Sequence, residues 1–186
     1  MKIVLLIIFA LLPILIKAQN GSPAKPLKCT FTTNGIDSFT GKLKKTSEWF
    51  SITGKSQPTI QAQFIQEGYN YFIHLIVIPQ DFKLHSQEGY NEPDANNGNA
   101  LMVKLANEEV LTFHFMTKQT YSKVAINVTT IYYSAVYSIN KEQLDLLVWQ
   151  DVIKLRVYHD QGFYYYISPD TESITALKEK AACMLK

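Results

Sequence analysis

The sequence predicts an α+β domain that is mostly β: an antiparallel β-sandwich or part-open barrel of about eight to ten strands, with a short inserted helix and a C-terminal helix. Three observations carry that expectation. Apolar residues recur at period two through most of the chain, as in Ile60-Ala62-Phe64, Leu101-Val103-Leu105 and Ile153-Leu155-Val157. Turn-forming clusters cut these runs into short lengths, among them Asn34-Gly35, Glu67-Gly68-Tyr69-Asn70, Asn107-Glu108-Glu109 and His159-Asp160-Gln161-Gly162. Only two segments show helical spacing, and each begins at a capping residue.

The chain opens on a segment outside that domain. Met1-Lys2 gives a positive start, Ile3 to Ile16 is apolar apart from Pro13, and Ile16-Lys17-Ala18 precedes Gln19. This is the pattern of a secretory signal peptide, residues 1–18, cleaved after Ala18. As a helix the apolar run is about 21 Å long, short of the roughly 30 Å hydrocarbon core. No later run is long enough to be a transmembrane segment. Residues 19–27 hold Gly21, Pro23 and Pro26 and read as a flexible leader. The remainder, 28–186, has the length of a single β-rich globular domain.

Within it, Lys28 to Phe31 begins a strand and Asn34-Gly35 predicts a turn. Lys42 to Thr53 is β-prone, with Trp49, Phe50 and Ile52 expected inside. Ile60 to Phe64 and Tyr71 to Ile78 form a hairpin whose second arm is apolar on both faces apart from His74, so it should be central. Pro79 to Asn99 is polar and turn-rich. Its acids and amides do not fit a calcium loop: with Asp94 first, Gly98 falls where an oxygen ligand belongs, and with Glu92 first, Asn97 replaces the turn glycine. Leu101 to Leu105 and Val110 to Phe115 form a second hairpin, Thr117 to Lys123 reads as a polar loop, and Val124 to Tyr137 is long enough to bend or serve two sheets.

The clearest local signals come next. Asn140 and Gln143 make a capping box, with Ile139 and Leu144 at the staple positions. Ile153, Leu155 and Val157 then alternate with Lys154, Arg156 and Tyr158, and a tight loop leads into Phe163 to Ile167. Ser168 with Pro169 predicts the start of the last helix, whose apolar stripe is Ile174, Leu177, Ala181, Met184 and Leu185.

Charge and chemistry exclude more than they assign. The whole chain carries 18 basic and 16 acidic residues. Removing Lys2 and Lys17 brings them into balance, so no net charge draws the exported form to nucleic acid or an anionic membrane surface. Lys42, Lys44 and Lys45, the densest basic cluster, read as a solvated strand face. Cys29 and Cys183 stand near the two ends, where an oxidising compartment favours a disulfide; two buried thiols are the alternative. None of His74, His85, His114 and His159 has the spacing of a metal ligand, and no nucleophile elbow, phosphate loop or zinc motif occurs. No metal, cofactor or catalytic residue is predicted. His74 and His114 read as strand histidines with one hydrogen bond each.

Two features remain for binding. Arg156 is the sole arginine of the sequence, and a planar fork suits a carboxylate in the fold or in a ligand. Tyr132, Tyr133, Tyr137, Tyr158, Tyr164, Tyr165 and Tyr166 cluster together. If alternate members share a face, Tyr132, Tyr158, Tyr164 and Tyr166 with Arg156 make a platform for a sugar ring or a protein. The bland alternative is that strand propensity favours tyrosine and half of them pack inside. Asn127-Val128-Thr129 matches a glycosylation acceptor.

Ile36-Asp37-Ser38-Phe39-Thr40-Gly41, the Leu101–Phe115 hairpin, and Tyr137-Ser138-Ile139 through Gln143-Leu144 to Val152–Arg156 resemble a loose group of uncharacterised exported proteins of Bacteroidetes-type bacteria. The chain departs from that group at Asn99-Ala100 and Asn107-Glu108-Glu109, where the group has glycine. The resemblance implies a periplasmic or extracellular setting and carries over no catalytic residue. The functional expectation is a non-enzymatic binding or envelope-associated domain that takes a protein or glycan partner through a sheet face or the Pro79–Asn99 loop. The alternatives are a hydrolase using His114, His159 and Asp160, and an assembly protein.

Overall fold

The computed structural model describes residues 27–53, 58–78, 100–125, 128–158 and 164–186. The expected signal peptide, nearly all of the leader, the Pro79–Asn99 segment, Asn127, and His159 with Asp160 lie outside the described residues. Among the described residues there are two helices, α1 (Lys141–Trp149) and α2 (Thr171–Met184). The strands are β1 (Phe31–Ile36), β2 (Leu43–Ser47), β3 (Phe50–Ser51), β4 (Thr59–Glu67), β5 (Asn70–Ile78), β6 (Leu101–Leu105), β7 (Val110–Ala125), β8 (Val128–Ile139), β9 (Val152–Tyr158) and β10 (Tyr164–Ile167). They make one open, wholly antiparallel sheet in the order β1-β2-β4-β5-β8-β7-β6-β9-β10, with β3 on β4.

Alternation sets which side of this sheet is wet. Ile60, Ala62 and Phe64 on β4, Ile73, Leu75 and Val77 on β5, and Leu101, Val103 and Leu105 on β6 all point to one buried cluster. Leu144 and Leu147 of α1 and Leu177, Ala181 and Met184 of α2 close that cluster. Each of these side chains larger than alanine contributes roughly 1.5–3 kcal/mol by leaving water. β5 is central, between β4 and β8, as an arm apolar on both faces requires.

Several local expectations change. Asn34-Gly35 lies inside β1; the turn is built instead by Asp37, whose Oδ1 accepts from the Phe39 and Thr40 amides at 3.0 and 2.7 Å. An aspartate that satisfies the turn's own amides outcompetes the Asn-Gly signal, and Gly41 supplies the positive φ of 67°. Trp49 is 37% exposed, because the chain breaks between β2 and β3. There the Ser47 hydroxyl accepts from the Phe64 amide at 2.9 Å and the Ser47 carbonyl accepts from Gln63 at 2.8 Å.

The segment Thr117–Lys123 is strand, not loop. β7 pairs with β6 from Val110 to Phe113 and with β8 from His114 to Ala125, so it is β7 that passes from one partner to the next along its length, while β8 lies between β5 and β7. The change of partner coincides with a bulge at Met116. β5 pairs with β8 no further than Val77 with Tyr133. Beyond that point the β7–β8 hairpin has no third strand among the described residues, which suits its polar sequence.

On β9 the buried positions are Val152, Leu155 and Val157, while Ile153 is 40% exposed. Lys104 faces Lys154 and Leu105 faces Val152, which leaves Ile153 as the extra residue of a bulge. The α1 capping box forms as its sequence requires, with Gln143 N to Asn140 Oδ1 at 2.8 Å and Asn140 N to Gln143 Oε1 at 3.0 Å. The Gln143 amide also donates to the Thr112 carbonyl at 3.0 Å, fixing the helix to β7. The cap of α2 is Asp170 and not Ser168: its Oδ1 accepts from Ser173 N at 2.8 Å, and this backbone bond holds its carboxyl below the usual range. Pro169 precedes the cap, where its missing N–H costs nothing.

Cys29 and Cys183 are joined, with Cα atoms 5.4 Å apart and a sequence separation of 154. The bridge ties the approach to β1 to the end of α2, which lies against α1, β2, β3 and β4. Beside it, Glu48 accepts from the Thr30 hydroxyl at 2.7 Å and pairs with Lys180 at 3.1 Å. Those contacts, the Thr30 hydroxyl first, lower the Glu48 carboxyl below its ordinary range.

Candidate binding face

Outward-facing residues of β9 have partners on both sides. Arg156 stands opposite Met102 on β6 and Tyr166 on β10, so Met102, Arg156 and Tyr166 form one row across three strands. Tyr158 pairs with Tyr164 two residues further along the same strands. Four of the five expected binding residues, Arg156, Tyr158, Tyr164 and Tyr166, are thereby neighbours at the β10 edge. Tyr132 is set apart. It pairs with Tyr121 on β7, with β7 and β6 between β8 and β9, and lies about 25 Å further along the strand direction at ~3.3 Å per residue.

Within the row, the Arg156 guanidinium contacts the Met102 sulfur. Tyr166 is 63% exposed and the Lys154 ammonium lies 5.3 Å from its ring centroid, a cation–π contact that holds the ring in place. Lys154 faces Lys104 directly, and like charges so placed repel. Two partners relieve the repulsion: Tyr166 on Lys154, and Glu108, which pairs with Lys104. Glu108 sits at φ 69°, backbone that disfavours any residue but glycine. The turn thus keeps a carboxylate at a position whose backbone suits glycine.

Tyr137 of β8 does the other job. Tyr137 is 1% exposed, edge-on to Phe115 at 5.9 Å, and burial pushes its phenol well above the ordinary range. That is the packing role strand propensity alone explains.

The histidines divide likewise. His74 Nε2 is 2.7 Å from the Ser134 hydroxyl, and the Trp49 ring lies edge-on at 5.0 Å. Burial lowers its pKa and keeps the imidazole neutral. A neutral histidine locked to one hydroxyl and one ring is a packed side chain with its polar atom satisfied. His114 is exposed on β7, and its carbonyl accepts from Ser138 at 3.4 Å. Among the described residues no group of three or more His, Cys, Asp or Glu side chains is placed to hold a metal ion, and no helix is long and apolar enough to cross a membrane.

Met102, Lys104 and Ser134 are the members that sequence patterning passes over. The alternation of β6 puts Met102 and Lys104 on the outer face, but only the β6–β9 register, which joins residues far apart in sequence, brings them to Arg156. Comparison with protein-family models, with curated proteins and with solved structures finds no match to this chain.

Proposed function

We propose that the chain is an exported, non-enzymatic binding domain of the periplasm or extracellular space, which holds a protein or glycan partner against the outer face of β6, β9 and β10. One observation carries the choice of face: an exposed aromatic ring fixed by a lysine stands beside the sole arginine of the sequence, on a rigid strand row. A ring held in place loses little freedom on stacking against a sugar or an apolar anchor, and a guanidinium beside it suits a ligand that carries a carboxylate or sulfate. The export leader and the Bacteroidetes-type resemblance support the setting.

A glycan array followed by pull-down tests it, using residues 19–186, which contain every described element. The expected result is a ligand whose binding falls at least tenfold in Tyr166→Ala and in Arg156→Lys while the circular dichroism spectrum stays that of the parent. A ligand bound equally by both variants, or no ligand in either format, contradicts the proposal.

A further inference from the structure

A second surface lies at the opposite edge of the sheet, where the β1–β2 and β4–β5 turns meet. Phe39 is 98% exposed, Tyr69 is 99% exposed and Ile36 is 67% exposed. The two turns are in contact: Gly68 N donates to the Leu43 carbonyl at 2.7 Å, and Lys42 packs over Gly68. Neither aromatic is a loose end. The Phe39 turn is held by Asp37, which takes two amides and, at 2.9 Å, the Thr40 hydroxyl. Gly68, next to Tyr69, turns the other at φ 62°. Apolar side chains held almost wholly in water cost free energy with no return in the fold.

Charges stand directly behind the tips. Lys44 pairs with Glu67 at 3.3 Å, and the Asp37 carboxylate is turned back onto its own turn. Lys42 has no acidic partner among the described residues and packs at the tip itself, against Gly68. Lys45 points the other way, its ammonium 6.0 Å from the ring of Phe31 at the far end of β1. From the tip inward the order is aromatic, then Lys42.

We propose that these two turns form a wedge that docks on an anionic bilayer surface, Phe39 and Tyr69 entering the interface while Lys42 meets headgroup phosphates. The shape selects a bilayer over a protein partner. Two protruding rings require two matching pockets on a protein, whereas a fluid lipid interface accepts them anywhere, and aromatic rings favour that depth. Overall charge balance leaves no long-range pull, so attraction is confined to Lys42 at contact range. The site is distinct from the β6–β9–β10 face, and neither depends on the other.

Flotation of residues 19–186 with vesicles of phosphatidylcholine and phosphatidylglycerol tests the wedge. The wild-type protein is expected to float, and Phe39→Ala and Tyr69→Ala each to lower the partition coefficient roughly tenfold, the factor for one aromatic ring withdrawn from an apolar phase. Lys42→Glu is expected to weaken binding and flatten its salt dependence. Trp149→Ala, at an exposed ring remote from both turns in sequence, is expected to bind as the parent. Phe39→Trp supplies an independent readout: its emission shifts to the blue on adding vesicles. Failure of the wild-type protein to float, flotation of the alanine variants like the parent, or an unshifted Phe39→Trp spectrum overturns the proposal. So does binding of a soluble protein through Phe39 and Tyr69 without vesicle binding.

Discussion

His74 and Tyr166 stand on the same outer face at different depths, and depth decides what each contributes. His74 is half-buried, and its folded pKa lies below the ordinary 6.5. A group that resists protonation in the folded state gives stability in full above its unfolded pKa and loses it as pH falls toward the folded one. The contribution is therefore present at pH 7.5 and declines below about pH 6.5. The carboxylates of Asp37, Glu48 and Asp170 have lowered values too, but their losses come below about pH 4. Urea titrations at pH 7.5 and 5.5 are expected to show a smaller drop in His74→Gln than in the parent, and an equal drop in both removes His74 as the cause. Tyr166→Ala is expected to alter the unfolding free energy by less than about 1 kcal/mol, since an exposed ring buries little on folding. The same logic explains what the sequence showed of individual residues. The period-two pattern marks Arg156, Tyr158 and Tyr166 as outward-facing, yet it is silent on which outward residue of another strand sits beside them. That is fixed by strand order, and strand order joins β6 to β9 across more than forty intervening residues.

Elements were legible wherever their stabilising groups are local in sequence. The α1 capping box, the β4–β5 hairpin and the β6–β7 hairpin all follow from residues within a few positions of each other. Where a distant group decides, sequence patterning misplaced the boundary. β3 is separated from β2 because Ser47 bonds Phe64, and β7 runs through a polar stretch because β8 is there to pair with it. Ser47 is fully buried, so Ser47→Ala strands the Phe64 amide and is expected to cost about 1–3 kcal/mol by urea denaturation. A cost within about 0.5 kcal/mol contradicts this role. The bulge on β9 gives a paired test. Leu155→Ala is expected to cost about 2–5 kcal/mol and Ile153→Ala less than 1, although the alternation read from sequence treats the two alike. Equal losses return Ile153 to the core.

For the molecule as a whole, both helices cover one face of an open sheet, and a single bridge fastens the approach to β1 to the end of α2. β1 is an edge strand with little burial of its own, and α2 lies against its neighbours β2, β3 and β4. The bridge therefore holds the least buried edge to the last element of the chain. In the chain-entropy model a loop of this length contributes on the order of 5 kcal/mol. Reduction is expected to lower the thermal midpoint sharply, whereas an unchanged midpoint shows the edge to be held by packing alone. The proposed export and the bridge are linked, because disulfides form and persist in oxidising compartments. Intact mass spectrometry of the protein recovered from its producing cells, alkylated with and without prior reduction, tests both at once. The account predicts a product beginning at Gln19 that takes up alkyl groups at Cys29 and Cys183 only after reduction; a product that retains Met1, or that is alkylated at both cysteines without reduction, contradicts it.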